Sequence, residues 1–278
     1  MAMTFTMKQV YLNGAFVPPQ EAVVSAFDRG FIFGDGVYEV IPVFGGRLFR
    51  LPQHLARLEA SLAAIRLSNP LTEREWREVL TRLILDQGSG DQSVYLQVTR
   101  GVAPRDHAFP PDTRPTVFAY AQPLTYPSAE QIARGISAVT APDIRWNRCD
   151  VKAIALLANA LLRQQAIDAG AAEAILVREG VVTEGAASNV FIVRKGHLLT
   201  PPKGPWILPG ITRDLVLELA RAHRVSYAED MFSERELQSA DEIWITSSAK
   251  EIMPVTTINS QPVGNGRPGP LHARLLAL

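Results

Sequence analysis

The chain has 278 residues, and its 28 basic and 28 acidic side chains leave a formal net charge of zero. That balance supplies no basic stripe for nucleic acid or another polyanion, and the length points to one large or two medium domains. The single cysteine, Cys149, excludes an intramolecular disulfide and a multi-cysteine metal site.

From the N-terminus, Met1 to Lys8 lacks the charged start and apolar run of a signal peptide, and no apolar stretch reaches membrane-spanning length. The expectation is a soluble, cytoplasmic protein. Gln9–Leu12 and Ala15–Val17 flank Asn13-Gly14, a hairpin signal, and Tyr38–Phe44 and Arg47–Phe49 flank Gly45-Gly46 in the same way. Leu51–Leu67 and Glu73–Leu85 carry apolar residues at helical spacing, and Ser93–Thr99 and Thr116–Ala121 read as strands. Pro123 to Ser128, with two prolines, reads as a linker, so residues 1–122 form one expected domain and 129–278 another. Beyond it, Ala153–Ala169 reads as a helix ending at Gly170. Short strands follow at Ala172–Val177, Val181–Glu184, Asn189–Val193 and Leu198–Thr200. A helix from Ile211 to about His223, a short one at Ser233–Leu237 and a strand at Asp241–Ser247 complete an α+β pattern without internal repeats.

The chemistry concentrates at a few positions. Lys152 is one of only five lysines, and the residues after it, Ala153-Ile154-Ala155-Leu156-Leu157, are apolar. Such a lysine either snorkels to water or serves as an amine nucleophile. Glu184 ends an apolar strand before Gly185-Ala186-Ala187-Ser188, which suits either a solvated carboxylate or a buried one facing a cationic ligand. In Leu208-Pro209-Gly210-Ile211-Thr212-Arg213 a glycine turn enters a helix, giving either an ordinary threonine cap or a phosphate site. Thr246-Ser247-Ser248 offers further hydroxyls. Arg57 lies one turn after His54 on an amphipathic helix, by default on a solvated face. Arg105 and His107 sit in a loop that is either plain surface or a carboxylate clamp. Phosphate-loop, dinucleotide, zinc-protease and serine-hydrolase motifs are absent, and the five histidines are scattered, so no metal site is expected.

An amine, a carboxylate, a phosphate-binding helix start and a carboxylate clamp are together what pyridoxal 5'-phosphate chemistry needs. On these residues the chain resembles the fold-type IV pyridoxal-phosphate enzymes, most closely the D-amino acid aminotransferases. The motifs shared across the fold type are Arg29-Gly30 through Phe33-Gly34-Asp35-Gly36-Val37-Tyr38-Glu39, His54-Leu55-Ala56-Arg57-Leu58, Thr183-Glu184-Gly185 with Ser188-Asn189, and Gly210-Ile211-Thr212-Arg213. More particular to the D-enzymes are Gln97 to Gly101 with Pro104-Arg105-Asp106-His107, and Asp143 to Lys152. The resemblance implies a small N-terminal α/β domain and a larger C-terminal domain with a mixed, barrel-like sheet. It makes Lys152 the Schiff-base lysine and proton shuttle, and pairs Glu184 with the pyridine nitrogen. Arg57, Ile211, Thr212 and Ser248 would hold the phosphate, and Leu208 would pack near the ring. Tyr38, Arg105 and His107 would bind the substrate carboxylate, the last two from the neighbouring subunit of a homodimer. Ala153, Ala187 and Ser248 depart from the pattern, where the D-enzymes carry serine, serine and threonine.

The expected reaction is a ping-pong transamination from a D-amino acid to a 2-oxo acid, 2-oxoglutarate or pyruvate. Its rivals are a branched-chain L-aminotransferase and an (R)-selective amine transaminase on the same scaffold, and a pyridoxal-phosphate-binding protein without turnover.

Overall fold

The computed structural model describes residues 7–278; Met1 to Thr6, where most of the signal-peptide reading falls, lie outside the described residues. The chain divides into two compact units, Met1–Thr125 with Val151–Ala155, and Tyr126–Asp150 with Leu156–Leu278.

The first unit contains β1 (Val10–Leu12), β2 (Ala15–Val17), α1 (Arg29–Phe33), β3 (Gly36–Phe44), β4 (Arg47–Leu48), α2 (Leu51–Ala64), α3 (Glu73–Gln87), β5 (Gln92–Thr99) and β6 (Thr116–Pro123). The strands form an antiparallel sheet in the order β2-β1-β6-β5-β3-β4. Strand alternation sends Val37, Ile41, Val94, Leu96, Val98 and Val117 into one core. Leu51, Leu55, Leu58 and Leu62 of α2 and Trp76, Leu80, Leu83 and Ile84 of α3 cover it, at the helical spacing read from the sequence. Each fully buried side chain of this kind contributes roughly 1.5–3 kcal/mol. A capping box, Thr72 with Glu75, starts α3. Away from that core Tyr95 stacks between Tyr38 and Tyr120, with ring centroids 5.7 and 5.3 Å away.

Val151–Ala155 returns to this unit as extended chain, not as helix. Tyr38 N–H donates to the Lys152 carbonyl and Ile154 N–H to the Gly36 carbonyl, each at 3.0 Å, and Ala153 bridges Val37. The helix expected from Ala153 therefore begins only at Leu157. The cause is non-local: β4 covers only Val43 and Phe44, so the start of β3 would otherwise be an open edge.

The second unit contains α4 (Ala129–Arg134), β7 (Ile136–Pro142), α5 (Leu157–Asp168), β8 (Glu173–Arg178), β9 (Val181–Gly185), β10 (Asn189–Arg194), β11 (His197–Thr200), α6 (Ile211–Ala222), β12 (Tyr227–Glu229), α7 (Glu234–Gln238), β13 (Glu242–Ser247), β14 (Glu251–Ile258), β15 (Gln261–Pro262) and α8 (Pro270–Leu276). Its sheet runs β12-β11-β10-β13-β14-β7-β8-β9, with β15 on β14. Three pairings are parallel (β11 with β12, β14 with β7, β7 with β8) and the others antiparallel. The last strand, β9, also meets β10, so the sheet curls on itself as a barrel does. Val190 to Val193 are all buried, since both faces of β10 are covered. The sequence reading missed β7 and β14. A proline inside a strand removes a ladder N–H, but the ladder to β7 begins one residue after Pro254, at Val255, so the missing N–H costs nothing there.

Gly101, after β5, has φ +93°, and a Cβ there would lie 1.9 Å from the Arg114 carbonyl oxygen. Gly101→Ala is expected to destabilise the protein by about 2 kcal/mol or more. A urea midpoint equal to wild type would contradict this.

Candidate active site

In the first unit the strand-to-strand pairing holds Lys152 beside β3. Its N–H donates to Ser61 Oγ at 3.2 Å, and Nζ lies 4.1 Å from the centroid of the Tyr38 ring. No carboxylate among the described residues pairs with this ammonium. Glu39, the next residue on β3, is fully buried. Arg57 forks onto it, Nε to Oε1 at 2.7 Å and Nη2 to Oε2 at 2.8 Å, and His54 Nδ1 meets Oε2 at 2.7 Å. Burial alone would raise the Glu39 carboxyl; the Arg57 pair and the His54 bond outweigh it and lower the pKa to about 2. Burial lowers His54, with Glu39 opposing and the cations Arg57 and Lys152 adding to the effect. Arg57, whose place on an amphipathic helix made a solvated face the default, is thus buried, with its guanidinium on the Glu39 carboxylate.

Arg105 and His107 are exposed in the loop after β5. The Arg105 Cζ lies 5.4 Å from the Phe33 ring centroid, and the His107 and Phe33 centroids are 5.4 Å apart. Arg105 has no carboxylate partner among the described residues. Tyr38 packs with Tyr95 and Lys152.

In the second unit Glu184, the penultimate residue of β9, is buried. Arg145 Nη1 donates to Oε1, while Asn189 Nδ2 and the Leu208 N–H donate to Oε2 at 3.0 Å each. Arg145 also grips Asp143 bidentately, Nε to Oδ1 and Nη2 to Oδ2, both 2.9 Å. Burial pushes the Glu184 carboxyl up to about 7 against the pull of Arg145 and the Leu208 N–H. Asn189 additionally donates to the Leu208 carbonyl at 2.8 Å, tying the carboxylate to the entry of α6. Gly210 caps that helix without a side-chain bond, and a Cβ there would lie 1.9 Å from Asn189 Oδ1. Ile211 and Thr212 supply the first helical amides, a ready anion site. Ser248 is half-buried just after β13. On β13 Thr246 pairs with Asn189 in register, and its buried Oγ1 has no hydrogen-bond partner among the described residues. Ala187 is exposed, and the neighbouring Ser188 hydroxyl donates to buried Glu173 at 3.0 Å.

Asn189, and Arg145 and Asp143 at Glu184, are site residues whose part there no sequence motif marks. Their spacing along the chain carries no signal; β9, β10 and the segment after β7 bring them together. Among the described residues no helix is long and apolar enough to cross a membrane, and no group of three or more His, Cys, Asp or Glu is placed to hold a metal ion.

Glu184 has a higher pKa in the fold than its ordinary 4.5, so the fold binds the proton more tightly than the unfolded chain does. Its contribution to stability is full below that ordinary value and lost as pH rises through about 7. In urea unfolding of the cofactor-free protein between about pH 5 and 8, wild type should lose roughly 3 kcal/mol relative to Glu184→Gln. Parallel pH profiles would contradict the assignment.

Known proteins resemble this chain in sequence and in fold. The family model for amino-transferase class IV matches residues 36–258. The D-alanine aminotransferase of Bacillus licheniformis is 44% identical over 263 residues, 95% of this chain and 93% of that protein. That of Staphylococcus epidermidis is 39% identical over 270 residues, 97% and 95% of the two chains. The crystal structure of the T.th. branched-chain amino acid aminotransferase with pyridoxamine 5'-phosphate superposes with a TM-score of 0.92 at 28% identity, covering 98% of this chain and 92% of that one. The chain belongs to amino-transferase class IV.

Proposed function

We propose that this chain is a pyridoxal 5'-phosphate-dependent aminotransferase acting on D-amino acids of the D-alanine type, with a 2-oxo acid such as 2-oxoglutarate or pyruvate as acceptor. The observation that carries this reading is Lys152, a half-buried amine held by its backbone to β3 with no carboxylate among the described residues to neutralise it. The likeness to D-alanine aminotransferases over nearly the whole chain supports the D configuration.

The residues fit the cofactor. The α6 start has no side-chain cap, the buried Thr246 hydroxyl lacks a partner, and Glu184 is a buried acceptor with a fixed orientation. When bound, the cofactor supplies an electron sink for the pair left at the substrate Cα. Lys152 is the amine that would carry it, and Lys152 Nζ would take the proton from the substrate Cα and deliver one back. Glu184 accepts a hydrogen bond from the ring nitrogen and, ionised there, keeps that nitrogen protonated. Arg57, Ile211, Thr212 and Ser248 hold the phosphate, and Leu208 packs against the ring. Tyr38, Arg105 and His107 bind the substrate carboxylate, the last two reaching over from the partner subunit of a homodimer. Because the Lys152 backbone is fixed on β3, the end of the site that takes the carboxylate would set the chirality.

Mixing loaded enzyme with D- or L-alanine, without acceptor, tests the reading. D-alanine should convert the pyridoxal absorbance to the pyridoxamine one. Conversion by L-alanine alone would assign an L-aminotransferase, and no conversion by either a binding protein without turnover. Arg105→Ala should lower kcat/KM for D-alanine about 10- to 100-fold, the worth of a lost charge-assisted bond, and leave the visible spectrum intact. An unchanged kcat/KM would refute the clamp.

A further inference from the structure

We propose that Phe33 and Arg29, both on α1, are the positioning residues of the Arg105/His107 carboxylate clamp; the inference rests on the clamp reading above. The loop after β5 has no regular secondary structure of its own, and both clamp side chains are exposed. Free side chains of that kind lose rotamer freedom on binding an anion, which weakens binding unless they are held beforehand.

Two devices hold them. Arg29, buried, donates from Nη1 to the carbonyl oxygens of Asp106 and Ala108, at 2.5 and 3.3 Å, so it pins the backbone on both sides of His107. Its Nε donates to Asp35 Oδ2 at 2.8 Å. Arg100 grips the same carboxylate, Nε to Oδ2 at 2.8 Å and Nη2 to Oδ1 at 3.1 Å, and reaches the Ile65 carbonyl after α2 at 2.6 Å. The loop is therefore anchored to the turn before β3 and to the end of α2.

The second device acts on the side chains. The Phe33 ring meets the Arg29 guanidinium at 4.8 Å, the Arg105 guanidinium at 5.4 Å and the His107 ring at 5.4 Å. An aromatic ring attracts a guanidinium through its quadrupole without neutralising it, which a carboxylate would do. Arg29 spends its charge on Asp35, while Arg105 keeps its own for an anion. Phe33 is thus a platform that orients the clamp and leaves its charge available.

The test is steady-state kinetics of the loaded enzyme with D-alanine, alongside its visible spectrum. Phe33→Leu, which keeps apolar bulk and removes the ring, should raise KM about two- to fivefold with kcat and spectrum close to wild type. Phe33→Tyr should retain the wild-type KM. Arg29→Lys, whose point-like ammonium cannot serve Asp35 and both carbonyls, should raise KM about tenfold. Wild-type KM in both Phe33→Leu and Arg29→Lys, or a loss confined to kcat, would overturn the proposal while an impaired Arg105→Ala left the clamp standing. Failure of the clamp itself would show instead as an unaffected Arg105→Ala.

Discussion

The pairing of Val151–Ala155 with the start of β3 is the contact on which the chemistry depends. Two backbone hydrogen bonds, from Tyr38 to the Lys152 carbonyl and from Ile154 to the Gly36 carbonyl, make Lys152 in effect a residue of the sheet. A lysine on a flexible loop would sample many rotamers and pair with a nearby acid; this one has its backbone fixed and the Tyr38 ring against its ammonium. The same pairing closes an edge that the two-residue β4 leaves open, so the fold and the nucleophile are secured by one interaction.

Two buried carboxylates meet opposite fates for identifiable reasons. Glu39 has the bidentate fork of Arg57 and the His54 bond to itself, and burial is overcome. Glu184 shares Arg145 with Asp143, and burial wins. A structural carboxylate is served by full compensation, whereas one that must receive a cationic ring is served by partial compensation. Asn189 couples that carboxylate to the α6 entry, so the groups proposed for the two ends of the cofactor share one side chain as their support.

What was legible in the sequence was local. The leucine spacing of α2 and α3, the glycine entry to α6 and the strand ending at Glu184 are set within a few residues, and each formed as its pattern dictates. The extended run at 151–155 was not, because its apolar, alanine-rich composition reads as helix and only β3 overrides it. Nor was the burial of Arg57, since Glu39 reaches it from a different element. Nor was β14, because Pro254 is tolerated only by virtue of where the ladder to β7 begins, at Val255, and that is set by the neighbouring strand. The grouping of Arg105 and His107 on Phe33 follows from Arg29 crossing to their loop, 77 residues along the chain.

The central claim is that Lys152 is the amine that carries the cofactor, and the small number of lysines makes it decidable. Borohydride reduction of the loaded enzyme, followed by proteolysis and mass spectrometry, locates the attachment. The cofactor mass is predicted on the peptide that contains Lys152 and on no other. Attachment at Lys8, Lys195, Lys203 or Lys250, or an unmodified Lys152 in a yellow protein, would contradict the account.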